Sequence, residues 1–392
     1  MPKIAIVAGE ASGDLLGSHL IRALKAQRSD LSFIGIAGPK MMAEHAISLY
    51  PIEKLSVRGY VEVLKHLYGL LQLRKNLFKQ LLAEKPSLFI GIDAPDFNFW
   101  LERKFKTKGI PAIHYVSPSI WAWRGGRMAK IKRAVSHVLA LFPFEPALYK
   151  AANVPVTYVG HPLADEIPLE PNKNAARETL KIKQDKLVVA MLPGSRQSEV
   201  TQHADLFVKT AHLLTKQYTN SAVLAAEFHP IQFLVPLITR ETRDIFEHAI
   251  HQSYAQYPEI ELNLQILFGH AHDAMEAADI VIVASGTATL EAALLKKPMV
   301  ITYRMPTLSW WILKRMRYQP FVGLPNILAG KFLVPELLQH EATPQNLMDA
   351  TNRLLGDTHY CDEIKQTFTQ IHLSLKQNAA EKAASVILTY LK

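Results

Sequence analysis

The sequence predicts an α/β protein of two tandem doubly wound, Rossmann-like domains, and three observations carry that reading. Short apolar runs alternate with helical patterns, the signature of βαβ units around a parallel sheet. The alternation is broken by a polar stretch with two prolines, ADEIPLEPNKNA (164–175), and then restarts. A length of 392 residues, 49% of them apolar, suits two cores more than one.

In order, KIAIVAG is a strand, EASGD a turn and LLGSHLIRALKAQ a helix. SFIGIAG (32–38) is the second strand. Apolar residues at 60, 63, 64, 67, 70, 71, 77, 78, 81 and 82 make Tyr60 to Lys85 a long amphipathic helical stretch, with Lys65, Arg74, Lys75 and Lys79 on the other face. SLFIGIDA follows as a strand, then a helix near 98–108, PAIHYVS, a helix near 124–134, HVLALFP and VTYVG. The first domain is placed at 1–165 and the second at 175–364. KLVVAML (186–192) opens the second domain. LQILFG, DIVIVAS and PMVITY are its later strands, and the chain turns helical from about Asp362.

Composition narrows the function. Charged residues at 20% are too few for a largely disordered chain and apolar ones are plentiful. The single cysteine, Cys361, excludes an internal disulfide framework and fits a reducing compartment. MPKIAIVAGEASGD does not read as a signal peptide, because its apolar run is short and Glu10 interrupts it. No apolar run reaches the roughly 18 residues of a spanning helix, so the expectation is a cytoplasmic protein, soluble or peripherally attached. Residues 1–170 hold 22 Lys+Arg against 14 Asp+Glu, whereas 171–392 hold 22 against 21. The positive field of the first half suits an anionic partner: nucleic acid, phosphorylated substrate or membrane surface.

Ligands of open α/β sheets bind beyond the carboxyl ends of the strands. At one such end FIGIDAPDFN carries Asp93 and Asp96. Asp93 is read as chemistry, because Pro95 stops the strand and fixes the turn, and Asp96 as a cap for the next helix. Three strand-to-helix turns are rich in small residues. AGEASGD (8–14) lacks the dinucleotide spacing, and Glu10 and Asp14 would repel a pyrophosphate; Ser12 and Gly13 can simply start a helix. LPGSRQSE (192–199) offers Gly194 for close approach, the Ser195 hydroxyl and the planar fork of Arg196, or else an ordinary helix start with a solvated arginine. ASGTATLE (284–291) offers Ser285, Gly286 and Thr287 to a phosphate and Glu291 to a ribose diol. Its plainer reading is Ser285 as a cap and Glu291 as a charge near the helix start. Together the last two loops suit a nucleoside diphosphate. No Asp-x-Asp clamp for a metal–nucleotide complex occurs, so no metal is assigned.

Between Arg103 and Arg133 lie nine Lys+Arg and no acid, around YVSPSIWAWRGGR with Trp121, Trp123 and Arg124. This mixture suits single-stranded nucleic acid, a membrane interface or an amphipathic phosphorylated ligand. LSWWILKRMRYQPF, with Trp310 and Trp311, reads as interfacial or as a core-facing helix with a cationic outer face. His270 and His272 form an H-x-H with no Cys or carboxylate cluster in support, so a solvated turn is expected.

AGEASGD, GIDAPDFN, HYVSPSIWAWR, PFE (143–145), VGHPL, LPGSRQSEV, ASGTATLE, GLPNILAG and VPELLQ span nearly the whole chain. In number, order and spacing they resemble the lipid-A-disaccharide synthase family, glycosyltransferase family 19. The resemblance implies a GT-B fold, with an acceptor domain first and a UDP-sugar domain second. The final helix, within 365–392, would cross back to complete the first domain. It implies an inverting transfer that joins UDP-2,3-diacylglucosamine to 2,3-diacylglucosamine 1-phosphate (lipid X). The products are the β(1→6) tetraacyl disaccharide 1-phosphate and UDP. Asp93 is the implied general base, with Glu10 orienting the acceptor or serving as base itself. Gly194, Ser195, Arg196, Ser285, Gly286, Thr287, Glu291 and Asn326 would bind the nucleotide. Ser12, Asn98, Trp121, Trp123 and Arg124 would meet the acceptor or the membrane. No cofactor is implied and no nucleic acid. The location implied is the cytoplasmic surface of the inner membrane, and the apolar surfaces leave a homodimer open. Two rivals remain at this level: a UDP-sugar epimerase of the same fold, and a peripheral lipid-binding protein without catalysis. A dinucleotide dehydrogenase is weaker, since its glycine fingerprint is absent.

Overall fold

The computed structural model describes residues 2–55, 60–120, 125–220, 229–307, 310–311 and 320–391. The chain divides into two compact units, Met1–Asp165 with Ser374–Lys392, and Glu166–Leu373.

Among the described residues the first unit carries a seven-stranded parallel sheet. Its strands are β1 (Lys3–Ala8), β2 (Ser32–Ile36), β3 (Ile47–Ser48), β4 (Leu88–Ile92), β5 (Ala112–Tyr115), β6 (His137–Ala140) and β7 (Val156–Tyr158). Their order is β3-β2-β1-β4-β5-β6-β7. Helices α1 (Ala11–Gln27), α2 (Pro39–Ala43), α3 (Tyr60–Ala83) and α4 (Pro95–Lys106) belong to its crossovers. The strands read as unbroken apolar runs because both sheet faces are covered; β4 is buried at every position. α1 buries Leu20, Ile21 and Leu24, each worth about 1.5–3 kcal/mol relative to exposure. The helix expected near 98–108 begins earlier, at Pro95, whose fixed φ suits a first turn.

The last helix, Ala379–Leu388, packs in this same core through Ala383, Ala384 and Ile387. Asp165 accepts the N–H groups of Asn378 and Ala379 at 2.9 and 2.7 Å, which ties down the start of that helix. The Tyr390 hydroxyl lies 3.0 Å from His137 Nδ1. The return begins at Ser374; the preceding residues group with the second unit.

The second unit carries a six-stranded parallel sheet among the described residues. Its strands are β8 (Lys186–Leu192), β9 (His229–Leu237), β10 (Leu264–Phe268), β11 (Ile280–Ala284), β12 (Met299–Tyr303) and β13 (Glu336–Leu338). The order is β10-β9-β8-β11-β12-β13. The polar stretch 164–175 is partly folded. Asn172 caps the helix Lys173–Thr179 by accepting from Ala175 N at 3.0 Å. Buried Arg177 then fastens that helix to the turn before β11, donating to Ala277 O and to Asp279 Oδ2, each at 2.9 Å.

Candidate active site

In the first sheet the strand order reverses between β1 and β4, which pair side by side with Ala8 opposite Ile92. Such a switch point opens a crevice at the strand ends. Glu10 leaves β1 as the residue before α1, with Ser12 exposed in the first turn. Asp93 and Ala94 leave β4. The two turns touch: a Cβ on Gly9 would collide with that of Ala94. Asp93 and Ala94 hold φ of 51° and 42°, left-handed backbone that costs non-glycine residues about 1–3 kcal/mol each. Asp93 N donates to Tyr115 O at 2.9 Å, and Asp93 O accepts from Asn98 Nδ2 at 2.8 Å. The half-buried Asp93 carboxylate has no charged partner among the described residues. The turn therefore aims an acid out of an apolar strand while its backbone is held from both sides.

Neighbouring residues fall differently from the sequence reading. Asn98 is not an acceptor or membrane contact. It is wholly buried, and its Nδ2 reaches Val7 O, Ile92 O and Asp93 O beneath the turn. Asp96 does not cap α4; it is exposed, and Arg127 Nη2 lies 3.1 Å from its Oδ1. Asp14, read from the sequence as an acid that would repel a pyrophosphate, turns inward. It is buried and accepts Gly38 N, Lys40 N and Met41 N at 2.9–3.0 Å, which clamps α1 to the start of α2. Trp121, Trp123 and Arg124 lie outside the described residues.

The second sheet reverses between β8 and β11, with Leu192 opposite Val283. Gly194, Ser195 and Arg196 leave β8 toward the helix Gln197–Asn220. Ser285 and Gly286 leave β11 toward the helix Thr287–Leu294. Ser195, Arg196, Gly286 and Thr287 are exposed. Gly194 has φ 130° and lies so close to Glu199 that a side chain there would strike its carboxylate. Glu199 accepts Ser195 N at 3.1 Å and lies 3.4 Å from Arg196 Nη1. This acid inside LPGSRQSE was not assigned from the sequence.

His272 is more than a solvated turn: its Nδ1 lies 2.9 Å from Glu291 Oε1. That hydrogen bond raises the His272 pKa above its ordinary value, against the opposing effect of burial. His270 pairs with Asp273 at 2.7 Å. His203 is buried and kept below its ordinary pKa by desolvation. Its Nε2 accepts Arg304 N at 2.9 Å, so Nδ1–H donates to Glu199 O at 2.7 Å and fastens the helix behind Arg196. Asn326 does not line the nucleotide loops. It is wholly buried; Oδ1 accepts Leu333 N and Val334 N, while Nδ2 donates to Val334 O and Glu336 Oε1. All of its bonding capacity is spent on the loop before β13.

Comparison with known proteins completes the description. The family model for lipid-A-disaccharide synthetase matches residues 4–389. A lipid-A-disaccharide synthase of Methylobacillus flagellatus is 62% identical over 392 residues, the full length of both chains. One from Azoarcus sp. is 57% identical, covering 100% of this chain and 96% of the relative. Among solved structures, UDP-GlcNAc 2-epimerase from Neisseria meningitidis bound to UDP-GlcNAc aligns with TM-score 0.63 at 13% identity, over 99% of this chain and 100% of that one. A glycosyltransferase from Rickettsia africae aligns with TM-score 0.59 at 12% identity, over 100% and 98%. At these identities the structural likeness speaks to the fold.

Proposed function

The chain belongs to the lipid-A-disaccharide synthetase family, and from that premise we propose how its two sheet edges divide the reaction. The enzyme is a glycosyltransferase that joins UDP-2,3-diacylglucosamine to 2,3-diacylglucosamine 1-phosphate, with UDP as the second product. The acceptor 6-hydroxyl attacks the anomeric carbon on the face opposite UDP. The new C–O bond forms as the bond to the diphosphate breaks, and the configuration inverts.

Asp93 takes the hydroxyl proton, and Glu10 on the adjoining turn orients the acceptor. Ser195, Arg196, Gly286 and Thr287 hold the diphosphate and stabilise the charge it gains on leaving. Glu291, oriented by His272, binds the ribose diol. The placement of Asp93 and Glu10 at one switch point, and of these donors at the other, carries the assignment. Peripheral attachment to the inner membrane is supported by the basic first half and by the exposed Tyr68, Leu71 and Trp311. Among the described residues no helix is long and apolar enough to cross a membrane.

The test is UDP release by purified protein in detergent, with each acylated substrate alone and with both, with and without EDTA. Release that needs both substrates and survives EDTA is expected. Turnover of the UDP-sugar without acceptor would favour an epimerase. Binding without turnover would favour a lipid-binding protein.

A further inference from the structure

Beneath the Asp93 turn lies a polar cluster in an otherwise apolar core. Asn98 and Glu102 stand one helical turn apart on α4, and His114 sits on β5, directly across from Gly91 of β4. All three are fully buried. They converge on Gly91: a Cβ there would collide with Glu102 Oε1 and stand 2.9 Å from Asn98 Cβ. His114 Nδ1 lies 2.6 Å from Glu102 Oε1, with the His114 ring tilted against Phe99. Asn98 Nδ2 reaches the three carbonyls under the turn, including Asp93 O at 2.8 Å.

Three buried polar atoms in this cluster have no partner: Asn98 Oδ1 and Glu102 Oε2 on α4, and His114 Nε2 on β5. Unpaired buried acceptors are costly, and two of them on one helix face call for a shared proton. An ionised Glu102 supplies none. A protonated Glu102 turns one of the two acceptors into the donor that the other lacks.

We propose that Glu102 is a positioning residue. It carries a proton on Oε2, donates it as a hydrogen bond to Asn98 Oδ1 and accepts His114 Nδ1–H at Oε1, and so fixes the amide that holds the Asp93 turn. The chain of bonds then runs His114 to Glu102 to Asn98 to Asp93 O. Glu102 and Asn98 are then both neutral, as the apolar surroundings favour. Burial shifts the Glu102 pKa upward, the direction this arrangement needs. Asn98 Nδ2 is thereby aimed at the backbone carbonyls and cannot flip to present its oxygen to them. This inference rests on the reading of Asp93 as the base.

The test pairs infrared spectroscopy with kinetics on the full-length enzyme. Glu102→Gln keeps the shape, with its amide oxygen toward His114 and its N–H toward Asn98. Wild type at pH 8 is expected to show the carbonyl band of a buried protonated carboxylic acid that Glu102→Gln lacks. Glu102→Gln should keep kcat within about threefold, and Glu102→Leu should lose about tenfold or more with UDP affinity unchanged. A folded Glu102→Gln that loses tenfold or more, or a wild type without the band, overturns the proposal. If Glu102→Leu does not fold, the band and the Gln variant decide alone. The base assignment is tested separately: a fully active Asp93→Asn sinks that reading and leaves the infrared result standing.

Discussion

The two sheets share a topology: in each, the order reverses between the first strand and the fourth. Their chemistry is opposite. The first edge presents the carboxylates of Asp93 and Glu10, and the second presents Ser195, Arg196, Gly286 and Thr287. The first turn is strained, with two left-handed non-glycine residues; at the second, the positive φ angles fall on glycines, Gly194 and Gly286. On the proposed reading, one backbone frame serves proton removal in one unit and anion binding in the other, and the difference lies in a few residues after each strand. Function here is mounted on the fold and not given by it.

Changes on one edge should leave the other's task intact. The largest expected effect is Asp93→Asn. Loss of the general base should lower kcat by about 10²–10⁴-fold in a UDP-release assay, with UDP affinity unchanged. Arg196→Ala should do the reverse. Losing a charge-assisted bond of about 1.5–3 kcal/mol raises the donor KM by about 10–150-fold, an effect that shrinks at high salt. Asp14 tests whether any acid at the first edge is catalytic. Asp14→Ala leaves three backbone N–H groups without their acceptor. It should cost about 1–3 kcal/mol in denaturant unfolding while the kcat of the folded enzyme holds. The smallest effect belongs to His272. Its folded pKa is raised by Glu291, so the pair's contribution is complete below the ordinary value of 6.5 and is lost as pH rises through the shifted value. Donor KM should climb a few-fold above pH 6.5, and His272→Gln should flatten that climb, as read from KM against pH.

Much of the frame is legible in the sequence, because parallel strands buried on both faces read as plain apolar runs. KIAIVAG, SLFIGIDA, KLVVAML and DIVIVAS all fall on central strands. The edge strands β3 and β13 escape, since two or three residues carry no pattern. Loop positions are legible too, but side-chain direction is not. Asn98 and Asn326 stand inside conspicuous motifs, yet both turn inward to satisfy backbone groups. His272 and Glu291 are 19 residues apart, on the helices that precede and follow β11, and meet only in the fold. Glu102 and His114 look like ordinary helix and strand residues until Gly91 lets them close on each other.

The division of labour is tested most directly by measuring UDP affinity and single-turnover rate on the same preparations of Asp93→Asn and Arg196→Ala. The account predicts a crossed result. Asp93→Asn binds UDP like wild type and barely turns over, while Arg196→Ala binds UDP weakly in proportion to its lost charge-assisted bonds. An Asp93→Asn enzyme that turns over at the wild-type rate, or that loses UDP affinity as Arg196→Ala does, would contradict it.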